Sequence, residues 1–424
     1  MNTRSHNPAH RVTTAHLQAA YPLLSEGGLG GRGVYIGRDL HGGGSFCYDP
    51  WELYQHGLTG PNMLVIGQLG QGKSSFVKTY VWRQLVFGRT AFMLDPKGEN
   101  EALCRAAGVH PIRLRPGGAV RLNPLDPRIG DQRRSGAEIV QEQLTVLLAI
   151  VSAVLQRMLT PEERAGCELA LESASRRSGG VPTLAGIADA LLSPDSAAAA
   201  GIATTASLLA AASREAALEL RRLVKGDLSG MFDGETSVEI DLSAPLVSLD
   251  LHEVYKSEAL GILMVCAASW LSRAITGSDG GRRIVVLDEA WAVLSNLAIG
   301  RWLQSSFKLA RAYGVQNIAV VHRLTDLRAA GGGESEQTRL AEGLLSDSET
   351  QVIYRQAPGD IAKTRDLLNL TSTEADIISR LPNGIALWRV GQRSFLVEHR
   401  LAADERPIID TDARMAAGSM AVRA

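Results

Sequence analysis

The segment Gly67-Gln68-Leu69-Gly70-Gln71-Gly72-Lys73-Ser74 constrains this chain more than any other, because it fits G-x-x-x-x-G-K-[ST] in the right surroundings. An apolar run, Met63 to Ile66, precedes it, and a helical pattern from Ser75 to Phe87 follows. Strand, glycine-rich loop and helix in that order make a cradle for phosphate. Glycine lets backbone N–H groups turn inward around an anion, and the helix N-terminus adds partial positive charge. The spacing predicts that Lys73 reaches the β- and γ-phosphates and that the Ser74 hydroxyl meets Mg²⁺, with Ser75 closing the nucleotide-binding stretch. ATP with Mg²⁺ is the expected ligand.

The rest of the composition narrows the setting. With 424 residues, 45% hydrophobic and 21% charged, this is an ordinary globular composition. Lys plus Arg number 44 against 45 Asp plus Glu, so no global basic field points to nucleic acid. Local basic clusters (Arg113, Arg115, Arg121; Arg133, Arg134; Arg221, Arg222, Lys225; Arg282, Arg283) read as solvated faces, with DNA contact as the alternative. The four cysteines (Cys47, Cys104, Cys167, Cys266) form no C-x-x-C pair and read as reduced residues of a cytoplasmic protein. Met1 to Arg11 lacks the apolar core of a signal peptide. The apolar runs Leu144 to Leu155 and Ala259 to Leu271 are shorter than the ~20 residues of a spanning helix. Any membrane contact is therefore expected to be peripheral, at the inner face of the cell membrane.

Periodicity divides the chain. Residues 1–25 read as a flexible tail and 26–60 as a short β-hairpin region around Val34-Tyr35-Ile36-Gly37 and Phe46 to Pro50. The first part of an α/β core spans 61–130, with strands at Thr90 to Asp95 and Pro111 to Leu114. Residues 131–228 are alanine- and leucine-rich and predict an inserted all-α subdomain. In it Thr160-Pro161-Glu162-Glu163 is a capping box with proline at the first helical position. The core resumes over 229–402, with strands at Pro245 to Leu251, Ile284 to Leu287, Gln316 to Val321, Gln351 to Tyr354, Ile385 to Val390 and Ser394 to Val397. The last two read as a hairpin on the sheet edge, and 403–424 as a tail. Alternating strands and helices predict a RecA-like P-loop NTPase core with a mostly parallel central sheet.

A second element sharpens the chemistry. Arg283-Ile284-Val285-Val286-Leu287-Asp288-Glu289-Ala290-Trp291 is an apolar strand ending in two carboxylates. Asp288 is expected to order the Mg²⁺ shell and Glu289 to polarise an attacking water, which a hydrolase needs and a kinase does not. His322, at the end of the next strand, is placed to donate a hydrogen bond to the γ-phosphate or to that water. Arg311 is the first candidate for a guanidinium donated to a neighbouring subunit, ahead of Arg323 and Arg355.

These motifs, together with Asp95-Pro96-Lys97-Gly98-Glu99, Leu122-Asn123-Pro124-Leu125, Gly230-Met231-Phe232-Asp233-Gly234 and Arg311-Ala312-Tyr313-Gly314, resemble the C-terminal motor domain of VirB4-type ATPases. Those ATPases serve type IV secretion and conjugation, within the HerA- and FtsK-like class of ring-forming pumps. The likeness runs from about Gly60 to Arg400. It implies self-association into a ring, expected to be a hexamer, and partners in a membrane secretion channel. His322 stands where the family usually has glutamine, and Ala312 where lysine is common. A DNA translocase of the HerA, FtsK or coupling-protein kind is the competing reading, because it uses the same site.

Overall fold

The computed structural model describes residues 28–54, 56–128, 135–226, 229–237, 240–241, 244–254, 263, 267, 281–290, 297–323 and 336–409. The expectations for the N-terminal tail, Arg133, Arg134, the run 259–271 with Cys266, and Trp291 lie wholly or largely outside these residues.

Eleven strands form one sheet: β1 Val34–Asp39, β2 Ser45–Tyr48, β3 Met63–Ile66, β4 Thr90–Asp95, β5 Ile112–Arg113, β6 Leu246–Asp250, β7 Arg283–Leu287, β8 Val315–Val321, β9 Thr350–Ile353, β10 Ile385–Val390 and β11 Arg393–His399. Their order across the sheet is β2-β1-β11-β10-β9-β3-β8-β7-β4-β6-β5. From β9 to β5 every pairing is parallel, and from β9 out to β2 every pairing is antiparallel. The fold is thus the expected α/β class with a mostly parallel sheet. One placement differs: β10 and β11 pair as a hairpin, but β1 joins β11 and moves the edge out to β2. Nothing in the periodicity of β1 could show which distant strand it would pair with.

The central strands are apolar throughout because both faces are covered. Leu64 and Ile66 of β3 enter one apolar cluster, and Met63 and Val65 enter the other. That alternation is what the two-residue side-chain period of a strand requires. The second cluster receives Phe76, Val77, Tyr80 and Val81 from helix α1 (Lys73–Leu85), two residues longer at its start than the sequence pattern suggested. The first cluster runs on into four of the helices between β5 and β6: α2 (Gly136–Leu155), α3 (Pro161–Arg177), α4 (Leu184–Leu192) and Arg214–Lys225, with the short helices Ser196–Gly201 and Ala206–Ala212 between the last two.

A local signal starts α3 where the sequence places it. The Thr160 hydroxyl accepts from Glu163 N at 3.2 Å, and the Glu163 carboxylate accepts from Thr160 N at 2.9 Å. Two of the family-like motifs clasp the ends of the helical stretch. The Asn123 amide donates to Pro182 O at 2.9 Å, Gln143 donates to Leu125 O at 2.8 Å, and Leu122 N donates to Met231 O at 2.8 Å. Gly230, at φ +93°, lies so close to the Gly117-Gly118 backbone that a Cβ there would sit 2.7 Å from Gly117 N.

Two further expectations change. By length and composition α2 is long and apolar enough to cross a membrane, because helix starts at Gly136, before the first unbroken apolar run. Its Val146, Leu147, Ile150 and Val151 are buried in the first cluster. Residues 403–409, expected as tail, form a 3₁₀ turn and a short helix, anchored where the Arg83 guanidinium pairs with the Glu405 carboxylate at 2.6 Å.

Candidate nucleotide site

The site lies at the C-terminal ends of β3, β8, β7 and β4, which are consecutive in the sheet. β3 feeds the glycine loop. Gly67 follows it so close to Tyr354 that a Cβ would sit 2.5 Å from the tyrosine Cβ. Gly72, at φ +101°, turns the chain into α1 and leaves the helix start without a side-chain cap, so its first N–H groups remain for an anion.

The loop is braced from both sides. Gln68 N donates to Arg355 O at 3.0 Å, and Gly384 N donates to Gln71 O at 3.2 Å. Leu69 is exposed, whereas Gln71 and Lys73 are buried. The Lys73 ammonium donates to the carbonyls of Gly67 and Gln68, the second at 2.8 Å. Burial and the charge of Lys97 bring its pKa down to about 8 against the opposing pull of Asp288 and Glu289. Ser74, at the start of α1 beside Ser75, lines a small cavity with Lys78, Asp95, Asn100 and Asp288.

β7 brings the acids to this edge. It lies between β4 and β8, pairing Leu287 with Leu94 on one side and Ala319 on the other. Asp288 N reaches back to Leu94 O at 3.4 Å, and its carboxylate accepts from Glu289 N at 3.0 Å. Burial raises the pKa of Asp288. Glu289 sits at φ +52°, a left-handed conformation that costs a residue with a Cβ about 1–2 kcal/mol. That turn buries its side chain and aims it along the strand ends.

Two hydrogen-bond donors meet Glu289 there. Its Oε1 accepts from His322 Nε2 at 2.6 Å and from Lys97 Nζ at 2.6 Å. Burial alone would raise the Glu289 pKa, but these two partners bring it down to about 2. Lys97 Nζ also lies 3.9 Å from Asp288 Oδ2 and 3.4 Å from His322 Nε2. His322 Nδ1 is buried with no hydrogen-bond partner among the described residues.

Among the residues marked from sequence, the structure gathers the glycine loop, Lys73, Ser74, Ser75, Asp288, Glu289 and His322 at one end of the sheet. It leaves Arg311 at the other. Arg311 is exposed in the turn before β8, where Gly314 O accepts from Arg283 N at 3.2 Å. The length of β8, roughly 23 Å at ~3.3 Å per residue, separates it from His322. Arg323, which lies 3.6 Å from Asp360, and Arg355 are both at the site's own end. Lys97 is the residue that the reading by motif passed over. It was legible only as part of Asp95-Pro96-Lys97-Gly98-Glu99, and the signal was that β4 ends in an acid beside an acid-ended neighbour.

No cage of protein ligands is present: among the described residues no group of three or more His, Cys, Asp or Glu could hold a metal. The oxygen donors of Ser74 and Asp288 on one cavity nevertheless suit Mg²⁺, which keeps waters and shares phosphate oxygens with few side chains.

A glycine loop on a central parallel strand, with an acid-ended strand one place beyond its neighbour, defines a P-loop NTPase. No protein-family model matches the sequence. The fold is that of VirB4 of Thermoanaerobacter pseudethanolicus, with a TM-score of 0.70 and 21% identity, covering 90% of this chain and all of that one. The bacterial conjugative coupling protein TrwBdeltaN70, in a trigonal form with sulphate, matches at a TM-score of 0.54 and 15% identity over 91% of this chain and 99% of that one. TrwB with the non-hydrolysable ATP analogue ADPNP matches at 0.53 and 16%, over 82% and 87%. In sequence, 155 residues (37% of this chain) are 21% identical to the type IV secretion system protein CagE of Helicobacter pylori, a stretch that is 15% of that protein's length. The resemblance to VirB4-type ATPases carried by the motifs is therefore matched in the fold.

Proposed function

We propose that this chain is an ATP hydrolase that works as the motor of a type IV secretion apparatus, at the cytoplasmic face of the membrane. The observation that carries the reading is the convergence of Lys73, Ser74, Asp288 and Glu289 at one sheet edge, in the fold shared with VirB4. The glycine loop and the start of α1 bind the phosphates, and Lys73 exchanges its loop carbonyls for β- and γ-phosphate oxygens. Ser74 and Asp288 hold Mg²⁺, which when bound neutralises phosphate charge. Glu289 orients a water and takes its proton as the water oxygen bonds to the γ-phosphorus. The bond to the β–γ bridging oxygen breaks, and ADP leaves with that electron pair. His322 fixes the Glu289 carboxylate.

Arg311 cannot serve its own site, so its role in this reading is in a ring, where it enters the neighbour's site; Arg323 and Arg355 are the alternatives. The ring is proposed as a hexamer and the apparatus as conjugative, by likeness alone. Direct DNA translocation is the second reading, favoured by the likeness to coupling proteins. Against it, one of the basic clusters is neutralised: Arg113 pairs with Asp250 and Glu101, Arg115 with Glu253, and Arg121 with Asp233.

The test is ATP turnover with and without DNA. Lys73→Ala should lose nucleotide binding, and Glu289→Gln should bind ATP but lose turnover by roughly 10²–10⁴-fold. Wild-type turnover by Glu289→Gln would remove the proposed base. Stimulation by DNA with a steep salt dependence would favour translocation.

A further inference from the structure

Lys97 stands on a turn that pins its backbone and leaves its long side chain to carry the ammonium to Glu289. The Asp95 carboxylate accepts from Lys97 N at 3.1 Å and from Asn100 N at 2.8 Å, pinning both ends of the turn. Between them Gly98 adopts φ +68°, packed so that a Cβ would lie 3.0 Å from an Asp250 carboxylate oxygen and 3.2 Å from the His252 Cβ. The Lys97 side chain keeps 27% of its surface exposed, whereas Lys73 keeps 4% as a residue. Lys73 is thus enclosed by its own loop, whereas the Lys97 side chain reaches the open side of the site.

Its present contact is informative. Lys97 and His322 both donate to the same oxygen, Oε1 of Glu289. An ammonium and an imidazole N–H on that oxygen take up its lone pairs and draw charge from the carboxylate, which weakens it as a base. The charge of Lys97 also helps to lower the pKa of Lys73, so the two ammonium groups are electrostatically coupled across the space between them. A γ-phosphate entering that space presents charged oxygens to both.

We infer that Lys97 is a γ-phosphate sensor: its ammonium transfers from Glu289 Oε1 to the γ-phosphate of bound ATP, and this transfer frees the carboxylate to accept the proton of the attacking water. The inference rests on the reading of the site as an ATP hydrolase. ADP, lacking that phosphate, leaves Lys97 on Glu289. Product release and base locking are thereby one event, and water is not activated in a site that holds no γ-phosphate. Lys97 touches the substrate directly in this scheme, and His322 remains on Glu289 as the positioning residue.

The measurement is a fluorescence titration of the full chain with Mg²⁺ and either ADP or a non-hydrolysable ATP analogue. Loss of a charge-assisted hydrogen bond predicts that Lys97→Met weakens analogue binding by roughly tenfold to hundredfold and ADP binding by less than about threefold. Glu289→Gln, which removes the competing carboxylate, should tighten analogue binding at least about threefold and leave ADP unchanged, and this gain should vanish in the Lys97→Met background. Equal losses for the two nucleotides in Lys97→Met would overturn the inference, as would a Glu289→Gln gain that survives without Lys97. Should Lys97→Met not fold, the single Glu289→Gln comparison decides, because no selective gain for the analogue then means no exchange. A wild-type chain that bound neither nucleotide would instead overturn the ATP hydrolase reading itself.

Discussion

The two halves of the sheet solve different problems. The parallel half carries charge to its C-terminal edge: a lysine among loop carbonyls, an acid pair whose second member, Glu289, is left-handed, and a histidine with one nitrogen unpartnered among the described residues. The antiparallel half, β10-β11-β1-β2, carries rings. Trp388 lies buried with its ring centroid 5.1 Å from Phe46, 5.4 Å from Tyr48 and 5.2 Å from Phe76. Phe76 belongs to the first turn of α1, so this apolar half is the wall against which the phosphate-loop helix rests. Substitutions in the two halves should therefore separate, with turnover affected on one side and stability on the other.

The largest test of that separation is Trp388→Ala. Emptying the ring cluster should cost about 3–5 kcal/mol of stability, read from urea unfolding. ATP affinity per folded molecule should change by less than about threefold. A larger change would show that the wall also sets the loop geometry, and the division would fail.

His322 tests the other side. Glutamine at 322 has an amide donor of similar reach and should keep turnover within about threefold, whereas leucine should lower it roughly tenfold to hundredfold with the melting temperature preserved. A stable His322→Leu enzyme with full turnover would leave the contact to Glu289 without a role.

His399 gives the antiparallel half a pH signature. Burial, with Arg83 nearby and Glu405 opposing, lowers its pKa to about 4, below the ~6.5 of an unfolded chain. The unfolded state therefore binds the proton first, so the stability this histidine contributes is complete above pH ~6.5 and drains away as pH falls toward about 4. His399→Phe, against the ring of Phe76, should flatten unfolding midpoints between about pH 7 and 5, above the range in which Glu405 titrates; Asp95, raised to about 6 by burial, titrates in this window in both proteins and leaves the difference between them unchanged. An unchanged slope would place the acid sensitivity elsewhere.

The smallest effect belongs to neither half. Thr160→Ala removes a cap from α3 and should cost about 1 kcal/mol, with no change in nucleotide affinity.

Much of this was written locally in the chain. The glycine loop needs only its own glycines and lysine, and the Lys73 contacts to Gly67 and Gln68 span a few residues. Thr160 and Glu163 meet within one helical turn, and the buried strands β3, β4 and β7 announce themselves as short apolar runs because both their faces are covered. Tertiary structure decided what depends on strand order. Only the placing of β8 between β3 and β7 brings His322 to Glu289, and only the pairing of β4 with β7 sets Lys97 against the same oxygen. The same order carries Arg311 to the far end of the sheet, and the pairing of β1 with β11 moves the sheet edge to a segment more than three hundred residues earlier in the chain. A motif records which groups a short stretch of backbone can present; which distant groups meet them follows from burying the sheet's faces as a whole, and no local spacing encodes that.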